Sequence, residues 1–223
     1  MKKDQDCTTK DIKILGIIPV RAGSKRVPNK NIKMIAGKPL MNWAIEAAKE
    51  SKLLTNFVVS TEDPTIAKIA MEQDVEVIAR PDELATDETP LLDVIQNVLC
   101  VEPADVVVIL HATSPVRIPG RIDECIQQYL DTEVDTVVTG FNCKCKEYSG
   151  EAKPNSQDVK GFFFDDGNVY VIDAELIKNG SLYSNNYGKV FTSREENVDI
   201  DEPFDFWLAE KILEERKNVR GNG

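Results

Sequence analysis

Residues 12–33 read IKILGIIPVRAGSKRVPNKNIK, an apolar run that stops at a cluster of cations. The first nine residues show no polar alternation, the pattern of a strand buried on both faces of a sheet. Behind them come Arg21, Lys25, Arg26, Lys30 and Lys33 with no acidic residue between, punctuated by Gly23, Pro28 and two asparagines. In a chain of net charge −11, this reads as a shaped loop that takes an anion rather than as a solvated face.

The segments beyond that loop alternate between strand and helix. KPLMNWAIEAAKES (38–51) predicts a helix entered at Pro39, with Leu40, Trp43, Ala44 and Ala47 at helical spacing. NFVVST (56–61) predicts a strand, and DPTIAKIAMEQD (63–74) a helix capped by Asp63 ahead of Pro64. VEVIAR (75–80), ADVVVILHATSP (104–115) and VDTVVTGF (134–141) are further strands. TPLLDVIQNVLC (89–100) and IPGRIDECIQQYLD (118–131) are the helices between them. Strands joined by crossover helices predict an α/β fold with a doubly wound, mostly parallel, Rossmann-like sheet. One domain over 1–223 is expected, with 142–165 as an inserted excursion, because the text turns polar and aperiodic there. FFFDDGNVYVID (162–173) reads as two short β runs around Asp165-Asp166-Gly167, a hairpin signal. A last helix over about 203–217 is predicted to face the core with Phe204, Trp207, Leu208, Ile212 and Leu213.

Composition narrows the function. Hydrophobic residues make 42% and charged ones 29% of 223 residues, ordinary for a globular domain. No apolar run approaches the roughly 20 residues of a membrane span. The first eleven residues carry lysines with no apolar segment behind them, which argues against a secretory signal. Overall acidity argues against nucleic acid. The cysteines, Cys7, Cys100, Cys125, Cys143 and Cys145, are odd in number and lack framework spacing, as expected in a reducing cytoplasm. Cys143 and Cys145 form a lone C-x-C, read as two loop thiols rather than a zinc site, since two more ligands are missing.

The basic loop matches neither a Walker loop nor a dinucleotide fingerprint. Gly23 and Ser24 can still offer backbone N–H groups to phosphate, with charge-assisted bonds from Arg21, Lys25 and Lys30. In VDIDEPFD (198–205) an extended chain puts Asp199 and Asp201 on one side, a donor pair suited to Mg²⁺; the competing role is a helix cap by Asp201. ARPDELATDETP (79–90) carries Arg80, Asp87 and Thr89, by spacing alone no more than a loop of turn residues. LHATSPVR (110–117) ends the central strand with His111, Thr113, Ser114 and Arg117; His111 is either a satisfied core histidine or a cleft wall.

VRAGSKRVPNKN, STED, RPDELATD, TSPVR and DIDEPFD, in this order, resemble the acylneuraminate cytidylyltransferase family over about residues 12–217. The resemblance implies an enzyme that joins CTP to an acidic nonulosonic, sialic-acid-like sugar and releases pyrophosphate. By position it implies catalytic roles for Lys30 and Arg21, and nucleotide contacts by Arg21, Ala22, Gly23, Ser24, Lys25, Asn31, Arg80 and Asp87. It further implies sugar contacts by His111, Thr113 and Ser114, and Mg²⁺ on Asp199 and Asp201. A cytoplasmic homodimer is implied, whose excursion reaches over the neighbour's site. Two departures bear on the sugar. His111 stands where the family often has Gln, and FDDGNVY stands where sialic acid enzymes carry R-x-N-G. Phe164, Asp165 and Asp166 are therefore expected to repel an acid, leaving its carboxylate to His111 and to Lys144, Lys146, Lys153 or Lys160. The expected acceptor is a nonulosonic acid other than N-acetylneuraminate. The alternatives are a sugar-1-phosphate nucleotidylyltransferase, a GT-A type glycosyltransferase, which would carry its D-x-D mid-chain, and a non-catalytic nucleotide-binding domain, which would have no use for Lys30, Asp199 and Asp201 together.

Overall fold

The computed structural model describes residues 12–145 and 159–221. Strand β1 (Ile14–Pro19), the start of the opening stretch, lies inside a seven-stranded sheet. It is flanked in parallel by β4 (Asn56–Thr61) and β6 (Val106–Ile109), and β5 (Glu76–Ala79) extends the sheet beyond β4. On the other side follow β8 (Phe162–Asp173), β7 (Thr136–Cys143) and β9 (Tyr187–Phe191), giving the order β5-β4-β1-β6-β8-β7-β9. β8 runs antiparallel to both β6 and β7, and β9 pairs in parallel with β7. The chain winds from β1 out to β5, then returns to β6 on the opposite side of β1. That reversal is the switch point at which open α/β sheets form ligand crevices. A separate two-stranded pair, β2 (Met34–Ile35) and β3 (Lys38–Pro39), follows the basic loop.

Alternation along β1 divides the core. Ile14 and Ile18 pack with residues of α1 (Leu40–Glu50), α2 (Pro64–Met71) and α4 (Arg121–Asp131), among them Met41, Ile66 and Ile126. Leu15 and Ile17 face the other way, onto Ile95 and Val98 of α3 (Leu91–Val101) and Ile177 of α5 (Ala174–Lys178). Each fully buried aliphatic side chain of this kind contributes about 1.5–3 kcal/mol. The cap read from Asp63 is present: its carboxylate accepts from the Thr65 and Ile66 amides, with Pro64 starting the helix.

A third apolar cluster positions the site. Val27 of the basic loop, Val116 of the segment after β6, Val198 and Ile200 beside the two aspartates, and Phe206, Ala209 and Leu213 of α6 (Pro203–Gly221) are buried together. Two expectations are corrected here. The buried stripe of α6 runs through Phe206, Ala209 and Leu213, while Phe204 and Trp207 are 64% and 52% exposed, their rings 5.7 Å apart. In a dense aromatic run the phase of the helix is set by whichever ring the core accepts, and that ring is Phe206. The second correction concerns FFFDDGNVYVID, which is one strand rather than two. Its ladder with β7 shifts register between Val138 and Gly140, and Gly167, at φ +68°, absorbs the extra residues as a bulge. Gly140 is required opposite, because a Cβ there would stand 2.2 Å from the Phe164 carbonyl oxygen. Cys143 and Phe162 still pair in the ladder, so the connection between β7 and β8 spans 144–161. Lys146 and Lys153, expected to meet the sugar, lie outside the described residues, as does Cys7.

Candidate active site

The carboxyl ends of β1, β5 and β6 open onto a cleft of about 460 Å³. Arg21, Ser24, Lys25, Lys30, Asn31, Arg80, Asp87, His111, Thr113 and Asp201 line it, with Arg26 at its rim. The volume lies within the roughly 300–1,000 Å³ of small-molecule sites. Five cations against two carboxylates give the lining a positive excess inside an acidic protein.

The phosphate-loop candidate is held from below. Asn31, buried, donates to the Arg21 carbonyl oxygen at 2.9 Å, closing the loop on itself. The Ala22 amide donates at 2.7 Å to Glu62, which directly follows β4. Asn29, at φ 51°, and Gly23, at φ 75°, provide the left-handed corners. Arg80 is buried and donates to the Ser60 carbonyl oxygen at 2.9 Å, with Glu62 3.9 Å from its guanidinium. Burial lowers the Arg80 pKa, the Glu62 charge raises it, and nearby Arg21 lowers it again. Glu62 thus touches both the phosphate loop and Arg80. It sits in STED, a block matched in sequence without a role for this acid, and an acidic residue immediately after a strand's carboxyl end is the signal that could have found it.

Lys30 reaches across the cleft. Its side chain is 13% exposed, donates to the Ile200 carbonyl oxygen and stands 3.5 Å from the Asp201 carboxylate. Arg26 meets the other Asp201 oxygen at 3.2 Å. The helix start is not capped by Asp201: Asp205 reaches back to the Asp201 and Glu202 amides at 3.1 and 2.8 Å, the returning half of a capping box. Asp201 and Asp199 are therefore free of capping duty. Desolvation raises the Asp199 pKa, opposed by a hydrogen bond from the Thr113 hydroxyl and reinforced by the Asp201 charge. Asp199, whose charge is disfavoured by that of Asp201, and Asp201 are both hard oxygen donors, a pair suited to a divalent cation that shares its shell with phosphates.

The remaining expected contacts divide. His111 faces the cleft and packs edge-on against Tyr170, with ring centroids 5.8 Å apart. Burial, then the Arg117 charge, push the His111 pKa down to about 4, with Asp165 opposing, so the imidazole is neutral at pH 7. Thr113 supports Asp199 and accepts the Ile200 amide on its carbonyl at 2.9 Å. Ser114 is buried to 1% and its hydroxyl meets the Gly167 carbonyl at 3.4 Å, so it braces β8 instead of lining the cleft. Arg117 is spent inward on Asn168, at 2.6 Å to both the side-chain and main-chain oxygens. Asp165 and Asp166, expected to repel an acid, are hydrogen-bonded by groups of their own chain. Asp166 is buried and accepts from Thr139, Thr192 and the Asn168 amide, and Asp165 accepts from the Tyr170 hydroxyl and the Gly167 amide. The donors are all neutral hydroxyls and amides, and the Asp165 charge still acts on His111.

A family model described as Cytidylyltransferase matches residues 15–218. The chain belongs to that family. Among relatives of this cytidylyltransferase, the CMP-N,N'-diacetyllegionaminic acid synthase of Legionella pneumophila is 33% identical, over 91% of this chain and 97% of its own length. The N-acylneuraminate cytidylyltransferase A of Danio rerio is 32% identical over 89% of this chain, and the chain spans about half (50%) of that longer protein. In three dimensions the chain resembles a CMP:2-keto-3-deoxy-manno-octonic acid synthetase complexed with CTP, at TM-score 0.74 and 16% identity, covering 92% of this chain and 99% of that one. At that identity the likeness shows the fold.

Proposed function

We propose that this cytidylyltransferase joins CTP to a nonulosonic acid other than N-acetylneuraminate, giving the CMP-sugar and pyrophosphate. The observation that carries the proposal is the meeting of Lys30 with Asp201: a loop lysine and a carboxylate, 171 positions apart in sequence, line one cleft. The acceptor hydroxyl attacks the α-phosphorus in line and pyrophosphate leaves, a reaction that asks for positioning and charge neutralisation rather than covalent catalysis. Arg21, Lys25 and Lys30 neutralise the triphosphate, with the Gly23 and Ser24 amides beside them. Lys30, already aimed between Ile200 and Asp201, offsets charge that develops on the α-phosphate. Arg80 and Asn31 form the wall for the base and ribose. Asp199 and Asp201 hold Mg²⁺, which when bound neutralises the pair and screens the phosphates.

Neutral His111 is the acceptor-side group, able to donate or accept a hydrogen bond without repelling a cation-seeking acid. Lys144 and Lys160, at the roots of the connection between β7 and β8, are both exposed and are the candidate partners of the sugar carboxylate. That the L. pneumophila relative matches over nearly its whole length favours a bacterial nonulosonic acid over N-acetylneuraminate. A homodimer is supported by exposed rings at the start of β8: Phe162 and Phe164 are 54% and 47% exposed, with ring centroids 6.4 Å apart. No helix among the described residues is long and apolar enough to cross a membrane, and we place the enzyme in the cytoplasm, where CTP is made.

The test is pyrophosphate release from each of the four nucleoside triphosphates against a panel of nonulosonic acids and sugar 1-phosphates. CTP with a nonulosonic acid is expected to dominate. Preference for an aldose 1-phosphate would replace the proposal by the sugar-1-phosphate reading, and N-acetylneuraminate as best acceptor would refute the choice of sugar.

A further inference from the structure

Two loops meet over the cleft through one carboxylate. Asp87, in the loop after β5, accepts from Arg21 at 2.6 Å on one oxygen and from Lys25 on the other. These two hydrogen bonds, Lys25 first and Arg21 second, hold the Asp87 carboxyl below its ordinary pKa. Asp87 is presented by a turn braced on itself: the Thr86 and Thr89 hydroxyls are 2.8 Å apart, and Thr89 donates to the Glu83 carbonyl at 3.3 Å. Arg21 and Lys25 are the cations best placed to take phosphate oxygens, so a phosphate chain in the cleft meets a carboxylate already on its donors. A carboxylate is acceptor-only and brings the wrong sign to a polyphosphate.

We propose that Asp87 is an internal stand-in anion that holds Arg21 and Lys25 in the cradle and sets phosphate affinity and discharge by competing for them. Its role is then opposite in sign to a nucleotide contact. An incoming polyphosphate, with more charge and more acceptor oxygens, displaces it. When pyrophosphate leaves, Asp87 takes both cations back and opposes rebinding of the product. The ligand class is a polyphosphate; that its substrate form is CTP rests on the function proposed above.

Calorimetric titration of the full chain and of Asp87→Asn with inorganic tripolyphosphate, CTP, the other three nucleoside triphosphates and cytidine, all with Mg²⁺, tests this. The variant is expected to bind tripolyphosphate and CTP about threefold to tenfold more tightly, the range for losing partly exposed competing ion pairs. Both Arg21 and Asp87 are 37% exposed. The gain should vanish near about 1 M salt, where the Debye length is about 3 Å. Cytidine, which has no phosphate, should bind both proteins alike. Unchanged or weaker tripolyphosphate binding by the variant overturns the proposal. So does a cytidine shift as large as that of CTP, the mark of a deformed loop. Asp87→Ser, which also removes the charge, repeats the measurement with a smaller side chain. If tripolyphosphate tightens but CTP has no advantage over the other three triphosphates, the choice of CTP falls and the role of Asp87 stands. If CTP is preferred and nothing tightens, the reverse holds.

Discussion

On the β1–β4–β5 side of the cleft the charged groups are held in place by the chain itself. The Ala22 amide rests on Glu62, Arg80 on Ser60, Arg21 and Lys25 on Asp87, and Lys30 on Ile200. On the β6–β8–β7 side the cleft wall is uncharged His111 backed by Tyr170, the nearby Arg117 faces inward, and the strand ends carry exposed phenylalanines. A polyphosphate needs fixed donors in advance, because reorganising charged groups at the moment of reaction is what slows it. On the proposed function, an acceptor sugar would meet this uncharged histidine, and its specificity would depend on groups outside that wall.

The largest expected effect is on the charged side. Lys30→Ala should lower kcat by roughly two to three powers of ten, the cost of one lost transition-state contact. Its thermal stability should stay near that of the wild type, since Asp201 keeps Arg26 and remains 49% exposed. Pyrophosphate release and a melting curve on the same sample check both halves of the statement. A rate close to wild type would show that preorganised charge on this side does not carry the chemistry.

A second, smaller effect belongs to the neutral side. His111 titrates at about 4 in the folded chain against 6.5 ordinarily, so the unfolded chain binds a proton that the native site refuses. Its contribution is therefore complete above pH 6.5 and is lost as pH falls toward 4, amounting to roughly 2–3 kcal/mol across that window. Urea unfolding at several pH values should show this slope in the wild type and a flatter one in His111→Gln. Parallel slopes would mean that the imidazole is solvated, and the contrast between the two walls would disappear.

The smallest effect is expected where the sequence pattern pointed most strongly to the core. Phe204→Ser and Trp207→Ser should each change stability by no more than about 0.5 kcal/mol, as exposed positions do, whereas Phe206→Ala should cost about 3–5 kcal/mol. A large loss at Trp207, seen in the same unfolding titration, would restore the expected helix phase.

What could be read from sequence is what closes locally. NFVVST is β4 to the residue, and Asp63 before Pro64 caps α2 because the acceptor and its amides are neighbours in the chain. The basic loop could be read for the same reason: its charges are contiguous. What escaped reading depends on distant partners. β9 is an edge strand in which only Val190 is buried, so YGKVF carries almost no pattern. Asp165-Asp166-Gly167 makes a bulge instead of a turn because Gly140, on the opposite strand, leaves room for it. Glu62 had no legible role because the Ala22 amide and Arg80 reach it from other loops. The choice of Asp205 over Asp201 as the cap shows up only in hydrogen bonds.

The third apolar cluster ties Val27, beside the phosphate loop, to Ile200, between the two aspartates, and both to α6 through Phe206 and Leu213. Segments from opposite ends of the chain therefore share one cooperative unit of local opening. A fluctuation that lifts α6 releases the lysine, the carboxylates and the loop together. On the proposed function, a molecule opened there would have no site at all rather than half of one, and could not bind a triphosphate with its cations and spill it where its carboxylates are absent.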